Sequence, residues 1–258
     1  MPFATGRVFM FALLSLFSFF ILMSLQLAKK TRVNVRPIPA LDSLHECVGR
    51  AVELGRPVHW TTGYGSAMHG GGGLLSPALI SGLAIFTHIA RLCAQMGAEL
   101  YATFCVAELM PPAMQAVREI YSVEGKEELF KSQNFIYFSP SQFAYATGVI
   151  SFMETQQVAT NILCGQLQDE CILLAETGAT IGAVQVGGGG QYAYLMITCQ
   201  YLLIGEEFYT AAAYLSQDQA QLGSIRGQDF GKITVIFLFL GLSILLMLGI
   251  DLTGVFKI

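Results

Sequence analysis

Two kinds of hydrophobic pattern alternate along the chain from about residue 41 onward. Short apolar runs of strand length, without strict alternation, are typical of parallel strands that are buried on both faces. Between them lie stretches with helical spacing, and Ser76-Pro77 and Ser139-Pro140 both have the sequence of a helix start. The strand candidates are residues 58–62, 99–104, 135–138, 158–164, 181–186 and 201–204, and the helix candidates are 74–97, 111–122, 140–156, 168–177, 190–199 and 206–221.

This order of single strands and single helices predicts the fold class. A helix that joins two parallel strands forms a right-handed crossover and packs on one face of the sheet. We therefore predict a doubly wound α/β fold, similar to the Rossmann fold, with a mainly parallel sheet of about six strands.

Two other segments are apolar throughout, namely 21 residues at 8–28 and 18 residues at 233–250. Each is long enough to cross about 30 Å of hydrocarbon as a helix. The first could also be read as a signal peptide, but it exceeds the usual apolar core of about 7–15 residues and lacks an A-x-A-like cleavage site. The sequence predicts a tail at 1–7, a transmembrane helix at 8–28, a linker at 29–40, an α/β domain at 41–222, a linker at 223–232, a transmembrane helix at 233–250 and a tail at 251–258.

Lysine and arginine residues flank the two predicted spans unequally, with six on the side of the α/β domain and two on the outer sides. Positively charged residues near the ends of spans tend to stay in the cytoplasm. We therefore predict that the α/β domain is cytoplasmic and that both termini lie outside the cell membrane. The six residues are Lys29, Lys30, Arg32, Arg36, Arg226 and Lys232, and the two are Arg7 and Lys257.

The block from residue 37 to residue 231 is acidic and poor in charge. It has 17 Asp and Glu against seven Lys and Arg, so it lacks the basic footprint of a nucleic-acid-binding protein. Charged residues make up 12% of the chain, about half the roughly 25% of a typical globular domain. We therefore predict that membrane lipid, further copies of the chain or other membrane-complex subunits cover part of its surface.

The six cysteines show no spacing typical of a metal site, such as C-x-x-C. Each lies among apolar residues, which predicts buried free thiols that behave as small hydrophobic side chains. The sequence therefore predicts neither a metal ion nor a cofactor.

Two runs of four glycines, each after a predicted strand, are the main candidates for ligand binding. In open α/β sheets, ligands lie beyond the carboxyl ends of the strands, where glycine lets the backbone approach a phosphate. We expect both runs to lie on the same edge of the sheet. They lack a P-loop or G-x-G-x-x-G sequence and nearby Lys or Arg, so a close-packed turn is the alternative. The candidate residues are His69, Gly70, Gly71, Gly72, Gly73, Gly187, Gly188, Gly189 and Gly190.

Glu206 and Glu207, directly after the last predicted strand, are further candidates for ligand binding. Paired carboxylates can serve as general acid and base or hold a divalent ion. The alternative is a helix start, where a carboxylate is favoured by the helix dipole. Ser66 does not lie in a complete G-x-S-x-G motif, and a histidine such as His59 in a strand is more typical of a buried, hydrogen-bonded side chain. No catalytic residue is predicted.

Several sequence stretches give the block from residue 41 to residue 229 a resemblance to a known family. It resembles an uncharacterised prokaryotic membrane-protein family, a domain of unknown function. The resemblance implies an α/β domain tied to membrane helices and brings no activity with it. The stretches are Ala51-Val52-Glu53-Leu54-Gly55-Arg56-Pro57-Val58-His59, Phe143-Ala144-Tyr145-Ala146, Gly205-Glu206-Glu207-Phe208, Ala211-Ala212-Ala213-Tyr214-Leu215, Gly223-Ser224 and Gln228-Asp229-Phe230.

The sequence as a whole favours a structural or interaction protein over an enzyme. We predict a membrane-anchored homo-oligomer or a scaffold subunit of a larger complex, in the inner or cell membrane of a prokaryote. The alternative is a membrane-tethered enzyme or sensor that binds a nucleotide or another small anion at the glycine runs. A pore is not favoured, because neither predicted span contains a charged residue.

Overall fold

A computed structural model of the chain describes residues 8–28, 36–64, 76–189, 197–216 and 219–247. The chain divides into two compact units. An α/β unit comprises Pro37–Ser216, and a helical unit combines Met1–Arg36 with Gln217–Ile258.

The α/β unit contains a six-stranded sheet in which all neighbouring strands are parallel. The strand order is β3-β2-β1-β4-β5-β6, so the sheet extends from β1 in one direction and from β4 in the other. This order confirms the predicted doubly wound α/β fold. The strands are β1 (Val58–Thr61), β2 (Leu100–Phe104), β3 (Phe135–Tyr137), β4 (Thr160–Gly165), β5 (Val184–Gly189) and β6 (Tyr201–Ile204).

Helices pack on both faces of this sheet. Helix α4 contacts α5 and α8 in one layer, and α6 contacts α7 in the other. The helices of the α/β unit are α2 (Pro39–Asp42), α3 (Leu44–Leu54), α4 (Pro77–Met96), α5 (Met110–Val123), α6 (Gln142–Gln156), α7 (Glu170–Thr180) and α8 (Glu206–Ser216). The helical unit contains α1 (Val8–Ala28) and α9 (Gln219–Met247).

Local sequence signals position these helices. The Ser76 side chain caps α4 by accepting a hydrogen bond from the Leu79 backbone N–H at 3.2 Å, as expected of serine before a proline. Gly55 ends α3 in the left-handed conformation, with φ of 63°, which glycine adopts at little cost.

The core of the α/β unit is densely aromatic on the α4 side of the sheet. Trp60 in β1 is fully buried and stacks on Phe86 of α4, with ring centroids 4.0 Å apart. All six cysteines are buried free thiols, as predicted. Burial raises the pKa of each of these thiols whose shift is resolved, to about 11 for Cys47 and about 12 for Cys199. Such thiols are poor nucleophiles near neutral pH.

Helices α1 and α9 of the helical unit pack antiparallel through glycines of α9. A Cβ atom on Gly227 would lie 3.0 Å from the Ile21 Cα atom, and one on Gly231 would lie 2.6 Å from the Phe17 ring. Glycines four residues apart lie on one helix face and let two helix backbones approach closely. The predicted linker at 223–232 is therefore wrong, because these residues belong to α9 and their glycines face α1.

Other predicted boundaries also differ from the structure. The α/β unit is Pro37–Ser216 rather than 41–222. The predicted helix at 206–221 covers α8 and the first three residues of α9, and residues 217 and 218 between them lie outside the described residues. The end of the predicted helix at 190–199 is wrong, because residues 197–199 are not helical, and the rest of it lies outside the described residues. Apolar composition alone does not distinguish a short helix from a buried turn.

One helix of the described residues, α4, is long and apolar enough to cross a membrane by length and composition. Because 61% of its most apolar window is buried and it packs on the sheet, it belongs to the core of the α/β unit. Leu13–Leu27 of α1 forms a shorter apolar stretch.

Candidate functional site at the carboxyl edge of the sheet

The strand order places a topological switch point, which we call the crevice, at the carboxyl ends of β1 and β4. The chain passes from β1 through α4 to β2, and from β4 through α7 to β5, so the two connections diverge to opposite sides of the sheet. In open α/β sheets, this point of divergence is where ligands usually bind. Thr62 and Gly63 after β1, and Gly165 and Gln166 at the end of β4, lie at this point.

The backbone is packed very closely at this crevice. A Cβ atom on Gly165 would lie 2.3 Å from the Thr62 carbonyl oxygen and 2.7 Å from the Thr62 Cα atom. On the other side, a Cβ atom on Gly82 of α4 would lie 2.6 Å from the Cys164 carbonyl oxygen. The two glycines allow α4 and the ends of β1 and β4 to contact one another directly.

A buried carboxylate, Glu170, holds together the segments around the crevice. One of its oxygens, Oε1, accepts hydrogen bonds from the backbone N–H groups of Tyr64 at 2.6 Å and Gln168 at 3.1 Å. The other oxygen, Oε2, accepts a hydrogen bond from the Gln142 side chain at 2.9 Å. Glu170 is 2% exposed and is the first residue of α7, so the helix dipole also favours its negative charge. It connects the ends of β1 and β4 with the start of α6.

Polar contacts beside the crevice position the loop after β1. The Cys105 thiol donates to the Gly63 carbonyl oxygen, with the two atoms 2.9 Å apart. The Thr61 hydroxyl donates to the Thr103 carbonyl oxygen at 3.1 Å, so it accepts the proton of the buried Tyr145 hydroxyl. Burial raises the pKa of Tyr145 well above its usual range, so this hydroxyl remains a donor.

A row of buried polar side chains crosses four strands on the α6 and α7 side of the sheet. The Gln185 amide nitrogen donates to the Ala175 carbonyl oxygen at 2.8 Å, so the Gln185 Oε1 atom accepts from the Asn161 amide nitrogen at 2.8 Å. The Asn161 Oδ1 atom then accepts from His59 Nδ1 at 2.9 Å, and His59 Nε2 accepts from the Thr103 hydroxyl at 2.9 Å. This order assigns the proton of His59 to Nδ1.

We call this row, Thr103, His59, Asn161 and Gln185, the polar belt. All four residues are fully buried, and burial lowers the pKa of His59 to about 4, so this imidazole is neutral at pH 7. Each hydrogen bond has one donor and one acceptor, and the Phe152 ring covers His59 with centroids 5.6 Å apart. The polar belt is therefore a structural element of the core, as predicted for His59.

The structure describes only some of the predicted ligand-binding residues. His69 and Gly70, Gly71, Gly72 and Gly73 lie outside the described residues, but the chain enters that segment at Tyr64 and leaves it at Ser76, both at the carboxyl edge. The interpretation of Gly187, Gly188 and Gly189 as a turn is wrong, because they belong to β5 and pair with both β4 and β6. Gly190 lies outside the described residues.

Glu206 and Glu207 occupy the first turn of α8, at the same edge of the sheet. Within the described ranges, no three His, Cys, Asp or Glu side chains are grouped so as to hold a metal ion. A cavity of about 270 Å³ lies instead at the opposite, amino edge, where Arg50, Val184 and Gln200 line it. It is remote from the crevice.

Sequence reasoning missed Glu170 and the polar belt. Glu170 belongs to no motif, and its only signal is its place at the start of a predicted helix. The belt does have a signal, because His59, Asn161 and Gln185 are each the second residue of an otherwise largely apolar strand. Their contact became predictable only with the strand order.

Replacement of Glu170 by alanine should destabilise the α/β unit by about 2 kcal/mol, because it leaves two backbone N–H groups without their acceptor. Glu170→Gln should cost less, since the amide oxygen can still accept a hydrogen bond. Urea unfolding followed by the fluorescence of Trp60, the single tryptophan of the chain, measures both values. Equal stability of Glu170→Ala and the parent chain would contradict the connecting role of Glu170.

An all-parallel sheet with this strand order and a crevice at the point of divergence defines a Rossmann-like α/β protein. Comparison with family models places the chain in a family described as Domain of unknown function (DUF6754), which matches residues 2–255. The chain therefore belongs to this family, as the resemblance of its sequence motifs indicated. Nothing among the curated proteins or the solved structures matches it.

Proposed function

We propose that the protein is a membrane-anchored interaction protein that assembles with further copies of itself or with other subunits of a membrane complex. Its membrane is the inner or cell membrane of a prokaryote, and α1 and α9 are its two anchors. The α/β unit is cytoplasmic and both termini lie outside. The observation that carries this proposal is the apolar outer surface of the α1–α9 pair.

Large apolar side chains on both helices of this pair point away from the partner helix. Phe19 of α1 is 60% exposed and Phe237 of α9 is 69% exposed. In water, an apolar surface of this extent would favour aggregation, whereas hydrocarbon covers it without cost. Among the described side chains of the pair, the other exposed large apolar residues are Phe11, Leu14, Leu16, Ile21, Leu22, Leu27, Ile233, Ile236, Phe239, Leu240, Ile244 and Met247.

The two ends of the α/β unit lie next to each other, which suits a domain held by two tethers. Tyr214 near the end of α8 donates a hydrogen bond from its hydroxyl to the Asp42 carboxylate at 2.9 Å. Only residues 217 and 218 separate α8 from α9. The scarcity of charge in the unit supports the second half of the proposal, since contact with other subunits would cover surface that is too apolar for a monomer.

We expect the full chain to sediment with membranes, to resist extraction at high pH and to give a native mass above that of a monomer in mild detergent. Gly227→Leu together with Gly231→Leu should weaken the α1–α9 contact and with it the assembly, because neither side chain has space at that contact. Gly241→Leu is the matched control, since a Cβ atom there meets nothing within 4 Å. Release of the chain from membranes at high pH, or a monodisperse monomer in mild detergent, would contradict the proposal.

A second candidate function is the binding of a nucleotide or another small anion at the carboxyl edge. The crevice between β1 and β4 favours it, because this is the usual ligand position in such sheets. Thermal-shift measurements with ATP, ADP and inorganic phosphate, each with and without Mg²⁺, test it. A rise in the melting temperature that Gly71→Val abolishes would support it, and no shift with any of them would remove its main support.

A further inference from the structure

The cavity of about 270 Å³ at the amino edge of the sheet has walls from both helix layers. Cys47 and Arg50 of α3 line it on one side and Ala179 at the end of α7 on the other, and Val184 and Tyr201 begin the strands β5 and β6 between them. At about 30 Å³ for each water molecule, it has room for roughly nine waters. Its size therefore suits a ligand of about ten non-hydrogen atoms, smaller than a nucleotide or a drug-sized molecule.

Two opposite charges line this cavity without pairing with each other. Glu46 and Arg50 lie four residues apart on α3, in the order that favours an ion pair along a helix. Within the described ranges, however, neither side chain has an ion pair or a hydrogen bond, and both are exposed. One anionic and one cationic group are therefore available to a ligand in the cavity.

A third polar group of the cavity, the Gln200 side chain, is held in place by a hydrogen bond. Its Oε1 atom accepts from the Gln185 backbone N–H at 2.6 Å, which fixes the amide beside the start of β5. The amide nitrogen has no hydrogen-bond partner among the described residues, so it remains a donor. Gln200 and Arg50 together supply N–H donors of the kind that bind a carboxylate.

The other polar part of the lining favours a cation. The last turn of α7 reaches the cavity at Ala179, and the carboxyl end of a helix carries a partial negative charge that adds to the charge of Glu46. The apolar part of the lining is made of small side chains, among them Cys47 and Val184. The cavity thus combines donors for a carboxylate, a negative environment for an ammonium group and an apolar wall for a short side chain.

From these observations we propose that the cavity binds a free α-amino acid with a small apolar side chain. The carboxylate of this ligand pairs with Arg50 and Gln200, its ammonium group pairs with Glu46, and its side chain lies against Val184. A ligand with a single charge leaves either Glu46 or Arg50 unmatched, so the zwitterion is preferred. The site does not depend on membrane anchoring or on assembly, because every residue that lines it belongs to the α/β unit.

The first test measures the binding of L-alanine and L-valine to the full chain in mild detergent by isothermal titration calorimetry. We expect saturable binding, which Arg50→Gln and Glu46→Gln should each weaken about tenfold, since each removes a hydrogen bond between charged groups. The controls Lys126→Gln and Glu53→Gln remove the same charges at exposed positions outside the cavity and should leave the affinity unchanged. No saturable binding of either amino acid at millimolar concentration, or equal effects of site and control variants, would overturn the proposal.

Two analogues of L-valine test the orientation of the ligand. Valinamide lacks the carboxylate and N-acetylvaline lacks the ammonium group, so both should bind more weakly than L-valine. Arg50→Gln should not weaken valinamide binding further, and Glu46→Gln should not weaken N-acetylvaline binding further. If Arg50→Gln weakened the binding of valinamide as much as that of L-valine, the assigned contact with the carboxylate would be wrong.

A further pair of variants tests the location of the site. Ala179→Phe places a ring at an exposed position of the lining and should abolish L-valine binding, whereas Ala144→Phe, at an exposed position of α6 outside the cavity, should not. An Ala179→Phe chain that unfolds in urea like the parent and binds L-valine equally well would contradict this location. Release of the chain from membranes at high pH would refute the proposed anchoring and leave these measurements intact, since they can also be made in solution.

Discussion

Replacement of Gly165 by alanine is expected to destabilise the α/β unit by about 3 kcal/mol or more. The new methyl group would lie 2.3 Å from the Thr62 carbonyl oxygen, and the next nearest atoms are also backbone atoms of Thr62. A side chain could rotate away, but here the strands β1 and β4 would have to separate. Since Gly82 brings α4 against the same point, relaxation toward the helix is also blocked. Urea unfolding followed by Trp60 fluorescence measures the loss.

The matched control is Gly49→Ala in α3. Its new methyl group would lie 3.3 Å from the Met96 Cε atom, the end of a flexible side chain. Because alanine also favours helix over glycine, this variant should be neutral or slightly stabilising. Equal stability of Gly165→Ala and Gly49→Ala would contradict the close approach of Gly165 to the Thr62 backbone.

The stability of the α/β unit should fall as the pH is lowered from about 6.5 to about 4. His59 has a pKa near 4 in the folded chain, because burial disfavours its charged form, against 6.5 for an ordinary histidine. In this window the unfolded chain takes up a proton at His59 and the folded chain does not, so acid favours unfolding. The contribution of His59 is fully present above pH 6.5, and about 3 kcal/mol is lost by pH 4.

The variants that check this assignment are His59→Gln and His45→Gln. The first should flatten the dependence of the unfolding free energy on pH, and the second, at an exposed position, should leave it unchanged. His88 contributes in the same direction as His59, because burial and then the charge of Arg91 lower its pKa. A parent chain with constant stability between pH 6.5 and pH 4 would contradict the buried, neutral state of His59.

The fold was predictable because burial on both faces makes each parallel strand a continuous apolar run. The run at 201–204 matched β6 at both ends. Strand order was not predictable, since the runs do not say which strands pair. For that reason the sequence could place candidate residues at one edge of the sheet but could not identify the crevice between β1 and β4, where Glu170 acts.

Glycine caused the two main errors for a single physical reason. Gly187, Gly188 and Gly189 suggested a turn, but strand pairing uses only the backbone, and a Cβ atom on Gly188 would lie 2.9 Å from the Phe208 ring. In α9, Gly227 and Gly231 suggested a linker, but their spacing of four residues puts them on the helix face that meets α1. In both places glycine is needed because a neighbour leaves no room, rather than because the chain must bend.

The antiparallel register of α1 and α9 has a consequence for the proposed membrane anchoring. Because Gly231 lies opposite Phe17, Lys232 lies beside the middle of α1, while Arg7 immediately precedes that helix. The stretch in which both helices lack charged residues at the same level is therefore about eight residues long. At 1.5 Å per residue this stretch is ~12 Å long, whereas the hydrocarbon core of a bilayer is about 30 Å thick. A bilayer that held this pair would be thinned around it, with Lys232 extending toward the nearer surface. Hydrophobic mismatch would then make the chain favour thin regions of the membrane.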